Sequence, residues 1–191
     1  MKYLKILGIA AVAAMALMAV TAGIASATTG EIGGVVQNSS FTITTSLKAG
    51  TSAILKDTAG ISSNTCTASS GSGTTSSPFT GATLTGVGTT MSMSSCAREP
   101  VIGDKTGTLH FTWTSGTNGT VTSSGAEITT SSPFGTLNCK TGEGTHLGTF
   151  TGVKVGNATM DVNAVISCSG ISSKFEATYS VTSPSGLGAV N

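Results

Sequence analysis

Two histidines, His110 and His146, are the side chains of this chain best suited to move a proton near neutral pH. A histidine base needs a nucleophile within hydrogen-bond reach and a carboxylate to orient its ring. His110 lies in the run Leu109-His110-Phe111-Thr112-Trp113, where alternation turns it away from the apolar residues and toward solvent. His146 follows Glu143 at the edge of a Gly-rich stretch, and one His/Glu pair is too sparse for a metal-ligand set. The acidic residues, Glu31, Asp57, Glu99, Asp104, Glu127, Glu143, Asp161 and Glu176, are scattered, and no two stand out as a glycosidase pair. No serine is framed as G-x-S-x-G. No helical pattern follows the Gly-rich pieces, so they lack the helix N-terminus that a phosphate cradle needs. We therefore expect no catalytic residue, no cofactor and no metal. The alternative is a secreted hydrolase that uses His110 or His146.

The densest charge cluster is Arg98, Glu99, Asp104 and Lys105, between Cys96 and Trp113. As a loop on a rigid scaffold it is a candidate binding loop; as a solvated loop its ion pairs carry little energy. Asn38, Asn118 and Asn157 each begin an N-x-Ser/Thr acceptor sequence, a frequent coincidence in a Ser/Thr-rich chain, whereas Asn64 begins Asn-Thr-Cys.

The four cysteines, Cys66, Cys96, Cys139 and Cys168, are separated by 29, 42 and 28 residues. Zinc sites need close pairs, so an even number at these gaps in an exported chain predicts two disulfides. Of three possible connectivities, Cys66–Cys96 with Cys139–Cys168 agrees best with an internal repeat. Cys66, Phe79-Thr80-Gly81, Leu84 and Cys96 in the first half correspond to Cys139, Phe150-Thr151-Gly152, Val155 and Cys168 in the second. The halves divide at about 28–116 and 117–191.

Residues 1–27 have the order of an export signal. Lys2 and Lys5 precede an apolar run from Ile6 to Val20, and Ala25-Ser26-Ala27 is a small-x-small cleavage site. An apolar run of this length could also be kept as an anchor, but no basic flank follows it. Removal of Lys2 and Lys5 takes the formal net charge from +1 to −1. A charge-poor chain lacks the basic field that nucleic acid requires and the polybasic patch that anionic lipid attracts. Neither nucleic acid nor membrane insertion after cleavage is expected.

Strand periodicity positions all of these residues. Phe41, Ile43, Thr45 and Leu47 alternate with hydroxyl residues, and Met160, Val162, Ala164, Ile166 and Cys168 share one parity. Asn118-Gly119 reads as a hairpin turn, while Gly71–Gly73 and Gly142–Gly144 read as loops. The expectation is a single all-β domain over 28–191: an antiparallel β-sandwich or barrel-like fold with two disulfides and a duplicated unit. The aromatic residues are too few for the girdles of a lipid-embedded barrel.

Together with the signal and the closing Ala177-Thr178-Tyr179-Ser180-Val181-Thr182-Ser183-Pro184, this pattern resembles small exported Ser/Thr/Gly-rich β proteins of high-GC Gram-positive bacteria. That resemblance implies a secreted or non-covalently envelope-associated setting and contributes no site residues. The two disulfides are also similar to those of antibiotic-carrying chromoproteins, from which this chain departs in its greater length and wider cysteine gaps. The functional expectation is a non-catalytic envelope or extracellular module with a structural or binding role, its partner cell-envelope polysaccharide or a second copy of itself. A small-molecule carrier with a pocket between sheets is the further alternative.

Overall fold

The computed structural model describes residues 28–59, 63–76, 82–99, 101–133 and 135–191. Residues 1–27, expected as an export signal, and the Phe79-Thr80-Gly81 element of the repeat lie outside the described residues.

The fold is all-β, and its main sheet closes into an antiparallel barrel of eight staves. The first stave is a broken strand, β3 (Thr42–Leu47) followed by β4 (Ala53–Asp57). The second and third are β5 (Ser63–Thr75) and β6 (Leu84–Cys96). The fourth joins β7 (Val101–Lys105) to β8 (Thr108–Ser115), and the fifth joins β9 (Asn118–Ser124) to β10 (Glu127–Ser132). The sixth joins β11 (Gly135–Lys140) to β12 (Thr145–Thr151), and β13 (Thr159–Cys168) and β14 (Ile171–Ser183) complete the ring. Hydrogen-bonded ladders run β3–β5–β6–β8–β9–β12–β13–β14 and return from β14 to β3, so each stave neighbours the next in sequence. The topology is a simple up-and-down meander, closed except between β6 and β7, where β7 pairs with β10 alone.

Alternation builds the wall. In β13 every second residue from Val162 to Cys168 is buried, and Asp161, Asn163, Val165 and Ser167 are exposed. Ala177, Tyr179 and Val181 of β14 point inward in the same way. Two turns follow from glycine chemistry. Ser169 and Gly170, at φ 48° and 85°, form the two-residue turn between β13 and β14. Gly116 and Thr117 make the turn between β8 and β9, with Gly116 at φ 58°. The hairpin therefore lies two residues before Asn118-Gly119, which instead begins β9. Gly71–Gly73, expected as a loop, lies inside β5, whereas Gly142–Gly144 does form the break between β11 and β12.

The two disulfides join Cys66 to Cys96 and Cys139 to Cys168. Both link residues that face each other in adjacent antiparallel strands. Each half of the chain supplies four consecutive staves, and in each half the disulfide ties the second stave to the third. The repeat does not extend to Leu84 and Val155: Leu84 is buried and Val155 is 89% exposed.

The end opposite the disulfides is covered by a small sheet in which β1 (Thr29–Ile32) lies between β15 (Leu187–Val190) and β2 (Val35–Val36). Thr28 anchors it, donating its hydroxyl to the Ala82 carbonyl at 2.7 Å and accepting the Trp113 amide at 3.1 Å. The core has two clusters. One surrounds the disulfides with Leu55, Ile128 and Ile166. The other lies toward the cap around Leu84, Phe111, Val121 and Phe150, with Phe111 and Phe150 edge to face at 5.8 Å.

Candidate binding cavity

Between the two clusters the barrel holds a partly open cavity of about 200 Å³. Gly71 and Gly73 of β5 and Gly86 and Gly88 of β6 all line it; a Cβ at Gly86 would meet nothing closer than 3.9 Å, whereas at Gly73 and Gly88 it would meet Val87 O at 2.9 Å and Thr106 at 2.5 Å. Across the barrel stand Leu147 and Phe150 of β12 and Met160, Val162 and Ile166 of β13. Phe175, Tyr179 and Val181 of β14, with Met91 and Met93 of β6, complete most of an apolar lining. Methionine suits such a wall because its unbranched thioether adapts to irregular space. At the cap end Leu187 closes the floor.

Few polar groups interrupt this lining, and most are satisfied. Thr75 Oγ1 accepts the Phe41 amide at 2.9 Å and donates to the Phe41 carbonyl at 3.2 Å. Ser123 shares a 3.3 Å hydrogen bond with Thr141, whose Oγ1 also accepts the Ala126 amide. Deeper in, Ser69 Oγ and Tyr179 Oη lie 2.9 Å apart, and both residues are buried. Burial holds the Tyr179 hydroxyl above its ordinary pKa, and the Ser69 hydrogen bond offsets part of that rise. Tyr179 is thus neutral across the physiological range. Glu127 and Lys140 border the cavity. Their neighbours Ile128 and Cys139 take the inward positions, so strand parity turns both charged side chains outward, and Glu127 pairs with Lys105 at 2.8 Å.

The residues singled out from sequence lie elsewhere. Glu99 folds back on its own turn, accepting the Cys96 amide at 2.9 Å and the Val101 amide at 3.3 Å. The Arg98 backbone is held at both its N–H and its carbonyl by Asn64. Asp104 and Lys105 belong to β7, not to a loop, so the four residues form no common binding loop. His110 and His146 lie on the outer face on either side of Thr122, in the cross-strand row Thr85, His110, Thr122, His146. His110 Nδ1 is 3.2 Å from the Thr85 hydroxyl. Among the described residues no cluster of three or more His, Cys, Asp or Glu side chains could hold a metal. In the three acceptor sequences, Asn38 and Asn157 are exposed, and Asn118 accepts the Gly152 amide at 3.2 Å; Asn64 is 6% exposed.

The outer face is ordered in its own way. Thr151, Thr159, Ser180, Ser46, Ser70 and Ser92 occupy one continuous cross-strand row over six staves. Thr112, Thr120, Thr149, Asp161 and Thr178 form another, in which Thr178 donates to Asp161 at 2.8 Å.

No protein-family model, curated protein or solved structure matches this chain. The class that fold and cavity define is an antiparallel meander barrel with an apolar interior chamber and a disulfide-tied end.

Proposed function

We propose that this is an exported, non-catalytic binding barrel that carries a small, mostly apolar molecule in its central cavity. The observation that carries this reading is the cavity itself. In this partly open pocket of about 200 Å³, apolar lining left against water carries an unfavourable hydration free energy. An occupant removes that cost, and eight-stranded barrels have an interior of the size that holds one small ligand. Two disulfides agree with an oxidising compartment. The hydroxyl and charged side chains on the outer rows support a protein that faces water rather than lipid. The rival hydrolase reading is disfavoured because His110 and His146 lie outside the barrel, away from the cavity.

Calorimetric titration of the processed protein with toluene tests this. Saturable one-to-one binding that Gly86→Val weakens at least tenfold is expected; no measurable heat or thermal shift up to the solubility limit of toluene contradicts it.

A second reading rests on the hydroxyl rows. A neutral, regularly spaced hydroxyl surface suits an uncharged envelope polysaccharide, or a second copy of the barrel, lying along the Ser46–Ser70–Ser92 side. Co-sedimentation with purified, insoluble cell-wall polysaccharide that is lost in a Ser46→Lys/Ser70→Lys variant supports it. Recovery of the protein in the supernatant as a concentration-independent monomer removes it.

A further inference from the structure

The Ser69–Tyr179 pair holds a proton that the protein does not use. Two hydroxyls carry two protons, and the 2.9 Å bond between them takes one. Whichever hydroxyl donates, the other O–H has no further acceptor among the described residues. Both side chains are buried, at 7% exposure each, and both line the cavity. A buried donor without an acceptor costs about 1–3 kcal/mol, and here the missing acceptor falls in the space that an occupant fills.

We propose that the occupant is an uncharged molecule of single-ring size whose one hydrogen-bond acceptor, a carbonyl or ether oxygen, is taken by the Ser69–Tyr179 hydroxyl pair. This rests on the carrier reading and specifies its ligand class. Size follows from the cavity: about 200 Å³ exceeds the roughly 150 Å³ that accommodates benzene and falls short of the roughly 300 Å³ at which drug-sized pockets begin. Neutrality follows from the lining. The charged side chains that border it, Glu127 and Lys140, face outward, and an ion inside an apolar chamber without a partner is strongly disfavoured. The single acceptor follows from the proton count. The apolar remainder contacts Met91, Phe111, Met160 and Phe175, which fix its position without directional bonds.

Acetophenone and α-methylstyrene are matched probes, because one presents C=O where the other presents C=CH2 in the same shape. Calorimetry on the processed, disulfide-bonded chain should show acetophenone binding about five- to tenfold more tightly than α-methylstyrene, the worth of one neutral hydrogen bond. Benzoate should not bind. In the Ser69→Ala/Tyr179→Phe variant the ratio should fall to about one while α-methylstyrene is still bound, which also shows that the cavity is intact. A second measurement needs no variant: the carbonyl stretch of bound acetophenone should lie below its frequency in an alkane solvent. Equal binding of the two probes by the unaltered protein, an unshifted carbonyl, or a preference that persists in the double variant overturns the anchor and leaves the carrier reading in place. Failure of both probes to bind overturns both.

Discussion

Asn64 of β5 donates through Nδ2 to Thr130 Oγ1 of β10 at 2.9 Å, across the interior of the barrel rather than along its wall. The two strands belong to the second and fifth staves, so this bond is a strut between nonadjacent parts of the ring. The same amide also binds the Arg98 carbonyl at 2.8 Å, and its Oδ1 accepts the Arg98 N–H at 3.0 Å. One buried side chain thus fixes the β6–β7 turn to the disulfide end. Asn64→Ala removes all three bonds and leaves the buried Thr130 hydroxyl without that partner. We predict a loss of about 2–3 kcal/mol, read as a shift in the denaturant midpoint at unchanged slope.

The disulfides beside this strut should contribute similarly to each other, because they span 30 and 29 residues. Replacing either pair by alanine is predicted to lower stability by about 3–4 kcal/mol on the chain-entropy model. Urea titrations of the two double variants check this, and a several-fold inequality between them would show that the two halves contribute differently.

Tyr179 sets the alkaline limit. Its hydroxyl is held above the ordinary value of 10.0 by burial, so the folded state binds the proton more tightly than the unfolded state. The associated stability is full below about pH 10 and is lost as pH rises through the raised folded value. Tyr3 and Tyr179 are the two tyrosines of the chain, so after cleavage behind Ala27 tyrosinate absorbance reports Tyr179 alone. Its titration should coincide with unfolding, and Tyr179→Phe should remove the alkaline decline in thermal midpoint. Ionisation well before unfolding would place the hydroxyl in contact with water.

The glycines separate into two kinds. An added Cβ at Gly86 meets nothing closer than 3.9 Å, at the Phe111 ring, and would project into free space. Gly86→Val is therefore predicted to keep or raise the thermal midpoint while reducing binding of a single-ring aromatic at least tenfold. Gly107, at the β7–β8 break, has φ 67°, and a Cβ there would lie 2.5 Å from Ala126 N and 2.6 Å from Ser124 O. The left-handed conformation alone costs a residue with a side chain roughly 1–2 kcal/mol, and the backbone collision adds to it. Gly107→Ala should destabilise by more than about 2 kcal/mol in the same assay.

Much of the wall was legible from parity. The alternating run from Leu109 to Trp113 lies within β8, and the one-parity set from Met160 to Cys168 is the inner face of β13. The cysteine pairing was legible because the repeat placed one pair in each half. The cavity was not. Glycine in a sequence reads as a turn, and Gly71–Gly73 reads that way until a closed ring shows that its missing side chains face inward. Tyr179 shares parity with Ala177 and Val181, which marks it as inward-facing, yet its partner Ser69 is 110 residues away and no local pattern joins them. The charge cluster misled for a related reason: Glu99 looks free in sequence, but its carboxylate is used by the amides of its own turn.

The most direct test of an occupied barrel is diffraction from crystals of the processed protein soaked in bromobenzene. The account predicts one bromine anomalous peak inside the barrel, between the Gly71–Gly86 wall and the side chains of Phe111, Met160 and Tyr179. Bromine found on the outer surface alone, with the interior closed by repacked side chains, would contradict it.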